Sequence, residues 1–368
     1  MYRVLSYRRS LRSAVLVLLA LAAASFAPSA RAENPTFTIG WSVYAGWNPY
    51  YYMARSGILD YWGRKYGVNI KVQRFDYAAS LDAFVSKNID ACTMTNMEAL
   101  DMPAAAGVDT TAIIIGDYSN GNDAVLARDG VTLGQLPGKP ILLVQKTVSE
   151  YLLQRAMELN GLGAKLPQLK LYNTSDSDIV GAYLGDKKNQ VAVTWKPLVS
   201  EILAQDHGVK ELFDSSKIPG EILDLLVVRT EVLNRPDGSG IRFAKAVTAA
   251  WYATMAQLTG TGPNAQKAIE GSAAASNDSV ASYKDQLKTT YLFRSALMAD
   301  QFATGVSIKD KMKLVRAFCF DHKLLGQGIH SPDDVAIQYP DGSVQGRKDR
   351  IRLRINDTFT KLAAQGKL

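Results

Sequence analysis

Through its first two thirds the chain alternates short apolar runs with amphipathic stretches, a pattern of strands and helices in turn. Phe37 to Trp41 predicts a first strand. Asn48 or Pro49 opens a helix that stops near Gly57, a residue able to take the left-handed position beyond a helix end. Between them lies an aromatic loop holding Trp41, Tyr44 and Trp47, punctuated by Gly46. Ile70, Val72 and Phe75 alternate with Lys71, Gln73 and Arg74, which predicts a strand over 68–75 with Asp76 at its end. A short helix over 80–86 places Leu81, Phe84 and Val85 on one face. Ile89 to Met94 predicts a third strand running into Thr95, Asn96 and Glu98, then a helix that Pro103 starts or kinks. Thr111 to Gly116 is a buried strand by its β-branched content. A polar turn from Asp117 through Tyr118 to Asn122 follows, then a short strand from Asp123 to Ala127.

The pattern restarts after Leu133. Strands are predicted over 141–145, 169–172 and 191–195, the last ending on Trp195, with helices over 151–160, 177–184 and from Pro197 to about Ala204. A short edge strand covers 209–213, and 222–229, which contains Asp224, returns to the first half. Strands alternating with helices imply βαβ units and mostly parallel sheets. Beyond Arg235 the character turns helical, over 241–258, 263–272, 280–289, 292–302 and 308–321, before a polar, Gly-rich tail and a last helix. The C-terminal ends of the first four strands face one crevice, where open α/β sheets place ligands.

At 368 residues the chain is long enough for two domains. Its net charge of +7 is concentrated at the start: five arginines precede residue 33 and no acid does, and without them 37 basic residues face 35 acidic ones. Net charge therefore gives a nucleic-acid partner no support. Residues 1–32 read as a secretory signal peptide: a basic stretch from Arg3 to Arg12, the apolar run Ala14 to Ala24, and Ala30-Arg31-Ala32 as a small-x-small cleavage site. The expectation is an exported periplasmic protein, and the two cysteines, Cys92 and Cys319, read as separate buried thiols.

There is no P-loop, no GxGxxG after a strand and no GxSxG, and the three histidines lack metal-ligand spacing, so neither a cofactor nor catalysis is expected. Three blocks do carry a resemblance: FTIGW with NPYYYMARSGILDYWGRKYGVNIKVQRFD, the stretch LDAFVSKNIDACTMTNMEAL, and LPGKPILLVQKTVSEYLLQRAMELNGL. Over residues 35 to 260 they resemble the nitrate/sulfonate/taurine-type periplasmic binding proteins of ABC importers. GWSVYAGWNPY and TWKP look like the urea carboxylase-associated branch, putative urea or guanidine binders. The resemblance implies a type II periplasmic-binding-protein fold, an α/β architecture of two lobes with mostly parallel sheets, joined by two hinge strands near Asp123–Ala127 and Leu225–Arg229. The lobes would be residues 33–123 with 227–368, and residues 124–226. It implies one small ligand in the interlobe cleft, an inner-membrane ABC permease as partner, and a monomer.

Within that frame the strand ends select a ligand class. Asp76, Glu98 and Asp117 stand with Trp41, Tyr44, Trp47 and Tyr118 at the first-lobe ends, with Asn96 beside them, and Trp195 and Asp224 could face them. Carboxylates pair with guanidinium through parallel N–H···O bonds, and indole and phenol faces attract flat cations. This favours a nitrogen-rich cation or amide, guanidine before urea. Each acid also has a bland role as a helix cap or solvated side chain. An aliphatic sulfonate, taurine or nitrate is the alternative, and Thr147, Ser149, Thr174, Ser175 and Lys196 are the residues it would use. A pyrimidine-synthesis-type enzyme of related fold and a sensor lobe are readings of other classes.

Overall fold

A computed structural model describes residues 33–368, so the signal-peptide expectation for 1–32 lies outside the described residues. Pro35–Leu368 forms one compact unit. In order its first elements are β1 (Thr36–Trp41), α1 (Asn48–Arg55), α2 (Ile58–Tyr66), β2 (Asn69–Arg74), α3 (Tyr77–Val85), β3 (Ala91–Thr95), β4 (Thr110–Ser119) and β5 (Asp123–Ala127). The second series is β6 (Pro140–Leu143), α4 (Val148–Leu159), β7 (Lys170–Asn173), α5 (Ile179–Gly185), β8 (Val191–Trp195), α6 (Leu198–Gln205), β9 (Lys210–Asp214) and β10 (Leu223–Arg229). After it come α7 (Ser239–Leu258), β11 (Thr290–Leu292), β12 (Ala336–Gln338), β13 (Val344–Gln345) and β14 (Ile351–Ile355), among further helices.

Two sheets organise these elements. The first has the order β13-β12-β14-β4-β10-β3-β1-β2, with β11 paired to β4; the second is β7-β6-β8-β5-β9. Both are mixed. β1 runs parallel to β2 and β3, while β10 runs antiparallel to both β3 and β4. In the second sheet β6 is parallel to β7 and β8, and β5 is antiparallel to β8 and β9. The chain passes between sheets twice, through 120–122 and back through 215–222. The two strands expected as hinges are thus sheet members, each beginning just after a crossing.

The core is continuous with the sequence pattern. Phe37 and Ile39 of β1, Ile113 of β4 and Phe243, Val247 and Trp251 of α7 are fully buried, with Phe37 stacked on Phe243 at 4.6 Å between ring centroids. A second cluster under α5 and α6 comprises Leu126, Leu142, Ile179, Tyr183 and Ile202. Two stretches depart from expectation. Residues 290–292 are a strand paired with β4, and the helix starts only at Ala296, capped by Ser295. The polar tail holds β12 to β14, which extend the first sheet; β14 lies parallel to β4, so these short segments gain regularity from a neighbour over 200 residues away. Among the described residues no helix is long and apolar enough to cross a membrane.

Candidate functional site

Strand register builds the site. Because β10 is antiparallel to β3 and β4, its N-terminal end lies beside their C-terminal ends: Asp224 is opposite Thr95 on one side and Asp117 on the other. In the second sheet, Asp123 at the start of β5 is opposite Trp195 at the end of β8. The short crossing at 120–122 brings those two pairs together. A very small cavity of about 10 Å³ lies between them, lined by Tyr44, Trp47, Tyr77, Thr95, Asp123, Val148, Trp195, Ile222 and Asp224.

Its walls are aromatic. The rings of Tyr44 and Trp47 lie 5.2 Å apart, those of Trp47 and Tyr77 5.3 Å, and those of Tyr77 and Trp195 5.7 Å. Hydrogen bonds fix the rings in place. Trp195 Nε1 donates to the Val43 carbonyl at 3.1 Å, which ties the second lobe to the loop after β1, and Thr95 N–H donates to the Tyr77 hydroxyl at 3.0 Å. The loop folds on itself through Trp47 N–H to the Tyr44 carbonyl at 2.9 Å. Gly46 at its tip is needed for approach: a Cβ there would sit 2.2 Å from a carboxylate oxygen of Asp117.

Acid dominates the polar side. Asp117, Asp123 and Asp224 are all buried, and among the described residues none of them has an ion pair. Asp117 Oδ1 accepts from the Tyr44 hydroxyl at 3.3 Å, while Oδ2 of Asp117 and Oδ2 of Asp224 are buried without a hydrogen-bond partner. Like charges directly opposite on paired strands are unfavourable, and so is an ionised carboxylate out of water. The acids respond as expected. Burial pushes Asp117 up to about 7, with the charge of Asp123 adding to it. Asp123 also rises to about 7, through burial and then the charge of Glu98. Asp224 rises well above the ordinary range through burial first and the charge of Asp117 second.

The residues singled out from the sequence divide into two sets. Tyr44, Trp47, Trp195 and Asp224 line the cavity, and Asp117 sits directly behind Tyr44 and Asp224. Glu98 is not in the lining but bonds two residues that are, accepting from the Thr95 hydroxyl and from Val148 N–H, the latter at 2.7 Å. The others lie elsewhere. Trp41 is buried against Tyr51. Asp76 precedes α3, accepts from the Ser177 hydroxyl at 3.2 Å and lines an open depression with Arg74 and Asp176. Asn96 is a structural bridge, accepting from Leu223 N–H and donating to the Glu221 carbonyl, both at 3.0 Å. Tyr118 stacks on Tyr291 at 4.4 Å in a separate aromatic cluster. Lys196 points to the Thr289 hydroxyl at 3.1 Å rather than to Asp224. Sequence reasoning did not single out Tyr77 or Asp123 as site residues. Asp123 had a signal, an acid opening an apolar strand opposite a strand that ends in Trp; Tyr77 had none beyond following Asp76.

Cys92 and Cys319 are both buried and form no disulfide. Among the described residues no group of three His, Cys, Asp or Glu is arranged to hold a metal ion.

No family model matches the sequence, and none of the curated proteins does. Solved structures do match in shape. The alkanesulfonate-binding protein SsuA from Xanthomonas axonopodis pv. citri, bound to MOPS, superposes with a TM-score of 0.64 at 15% identity, over 80% of this chain and 96% of its own. The periplasmic aliphatic sulphonate binding protein SsuA from Escherichia coli gives 0.62 at 16%, over 80% and 95%. A Candida albicans protein described as having the generic periplasmic binding protein fold gives 0.57 at 15%, over 77% and 90%. At such identities the likeness speaks to architecture: two mixed α/β sheets, crossed twice by the chain and flanked by helices, make this the periplasmic-binding-protein fold.

Proposed function

We propose that this chain is an exported solute-binding protein of an ABC importer that encloses a small nitrogen-rich cation between its lobes, guanidinium before urea. The observation that carries the reading is the set Asp117, Asp123 and Asp224. These three acids are buried together with no cation of the protein among them, beside a cavity walled by Tyr44, Trp47, Tyr77 and Trp195. Acids so placed either hold protons, as their raised titrations indicate, or release them to a cation that supplies the counter-charge. A planar cation does so while stacking on the rings, each cation–π contact being worth about 0.5–2 kcal/mol. As it stands the cavity has room for about one water, so a ligand of a few heavy atoms enters only when the walls part. Asp123 and Tyr77 join Tyr44, Trp47, Trp195 and Asp224 as the proposed contacts, with Asp117 completing the charge.

The sulfonate reading, which the neighbours' ligands suggest, is the second reading: Trp47 Nε1 and the hydroxyls of Tyr44 and Tyr77 are donors at the cavity, and the three acids are what count against an anion. A neutral amide such as urea is favoured by one feature, Nε1 of Trp47, which is buried without an acceptor and would suit a carbonyl oxygen. No catalytic constellation is proposed.

A thermal-shift series tests the assignment. The mature protein is melted with guanidinium, urea, taurine and nitrate as low-millimolar additions at constant ionic strength. A ligand at a hundredfold excess over its dissociation constant stabilises by about 2.7 kcal/mol. Guanidinium should raise the melting temperature and taurine and nitrate should not. A shift with taurine and none with guanidinium would overturn the assignment.

A further inference from the structure

Two helices meet the cleft with their first turns, one from each lobe, and each has an N–H that its own lobe leaves without a partner. α4 belongs to the second lobe. Its cap residue Thr147 serves Ser149 N–H at 3.3 Å, and nothing in that lobe serves Val148 N–H. The partner comes from the first lobe: Oε1 of Glu98, fully buried, accepts from Val148 N–H at 2.7 Å. α3 belongs to the first lobe. Its cap residue Asp76 makes no side-chain cap bond. Here the partner comes from the second lobe: both carboxylate oxygens of Asp176 accept from Tyr77 N–H, at 3.3 and 3.2 Å. The exchange is reciprocal. Each lobe lends a carboxylate to the positive end of a helix on the other.

We infer that this exchange, Glu98 to α4 and Asp176 to α3, is a latch that stabilises contact between the lobes independently of any ligand. Neither bond can form with the lobes apart, and opening exchanges both for hydrogen bonds to water. Glu98 also anchors Thr95, so the first-lobe half of the latch is continuous with the cavity wall. The inference does not rest on guanidinium as the ligand, only on the lobes parting to admit one.

Cross-linking measures closure directly and needs no ligand. Asp76 Oδ2 and the Ser177 hydroxyl face each other across the cleft at 3.2 Å. In the double variant Asp76→Cys/Ser177→Cys, the rate of disulfide formation under mild oxidant reports how often the lobes meet. The native thiols Cys92 and Cys319 are buried and do not compete. Added in turn to this background, Glu98→Gln and Asp176→Asn keep shape and remove charge. Each should slow cross-linking about tenfold, the lower end of what a hydrogen bond to a charged group contributes. Val148→Pro is a third probe. It deletes the N–H at a first helical position that tolerates proline, after a Thr147 already extended at φ −120° and ψ 178°. It decides the first-lobe half if the Glu98 variant does not fold. Asp60→Asn, on an exposed helix start, is the control. Rates unchanged in every variant that retains its helix content would overturn the latch; slowing of cross-linking in those variants with Asp60→Asn unaffected would support it.

Discussion

Replacing Asp117 by Asn should move stability and ligand affinity in opposite directions. In the wild-type chain the Asp117 carboxyl titrates near 7 rather than near its ordinary 3.8, because burial outweighs its bonds to the Asp224 carboxyl and the Tyr44 hydroxyl, and the charge of Asp123 adds to the rise. A carboxyl whose folded-state titration is raised binds a proton over a range where the unfolded chain has already released it. Stability therefore falls as pH rises from about 4 to about 7, and levels off once the folded state also releases the proton. The span between the two values corresponds to on the order of 4 kcal/mol at pH 8. An Asn keeps the shape and the acceptor for Tyr44 and carries no charge. The expected outcome is that Asp117→Asn is more stable than wild type at pH 8, by an amount approaching that figure, and about equal to it at pH 4. In the same variant the affinity for guanidinium should drop 10- to 100-fold, the loss of one charge-assisted hydrogen bond. Urea melts at pH 4, 6 and 8 give the first quantity and titration calorimetry the second. An Asn variant that is less stable than wild type at pH 8 would refute the claim that the acids are held at a cost for a cation.

Other outcomes follow from the same geometry. Guanidinium affinity of the wild type should rise between pH 5.5 and 7.5, since Asp117 and Asp123 must shed protons to bind a cation; calorimetry in buffers of different ionisation enthalpy should show proton release, and a flat profile contradicts it. Gly46→Ala should abolish binding while leaving the fold intact by circular dichroism, because the added methyl meets the Asp117 carboxylate and displaces the Tyr44–Trp47 loop. Trp195→Leu should weaken guanidinium binding 3- to 30-fold by removing one cation–π wall, read by the same titrations. Asp76→Asn should change it little, as Asp76 faces Ser177 outside the cavity.

The alternation of strands and helices was legible because its strands carry either an alternating pattern, as over 70–75, or an unbroken apolar run, as in 111–116 and 191–195. The aromatic loop after β1 was legible through its place at a strand end, and two of its rings, Tyr44 and Trp47, line the cavity. What the sequence hid was pairing. That Asp224 stands between Thr95 and Asp117 depends on β10 inserting antiparallel between β3 and β4, and no local pattern encodes an insertion across more than a hundred residues. Asp117 read as the start of a turn; it is a strand residue because β10 and β11 extend β4 to Ser119. Trp41 and Tyr118 read as cleft residues by position alone, yet alternation along a strand sends neighbours to opposite faces, and both are packed elsewhere. The strands at the C-terminal tail were missed because β12 and β13 span three and two residues, too few for a period to show.

The acids flank the two crossings: Asp117 and Asp123 stand on either side of 120–122, and Asp224 is the second residue after 215–222. Groups next to a pivot move least when lobes rotate about it. On the proposed reading, opening the cleft parts Asp117 and Asp224 on the first sheet from Asp123 and Trp195, which are paired on the second, and presents the negative charge to solvent. Capture and release then answer to different physics. The association rate constant should fall as salt screens the exposed acids. The dissociation rate constant should be nearly indifferent to salt, being set by how often the lid of aromatic rings lifts.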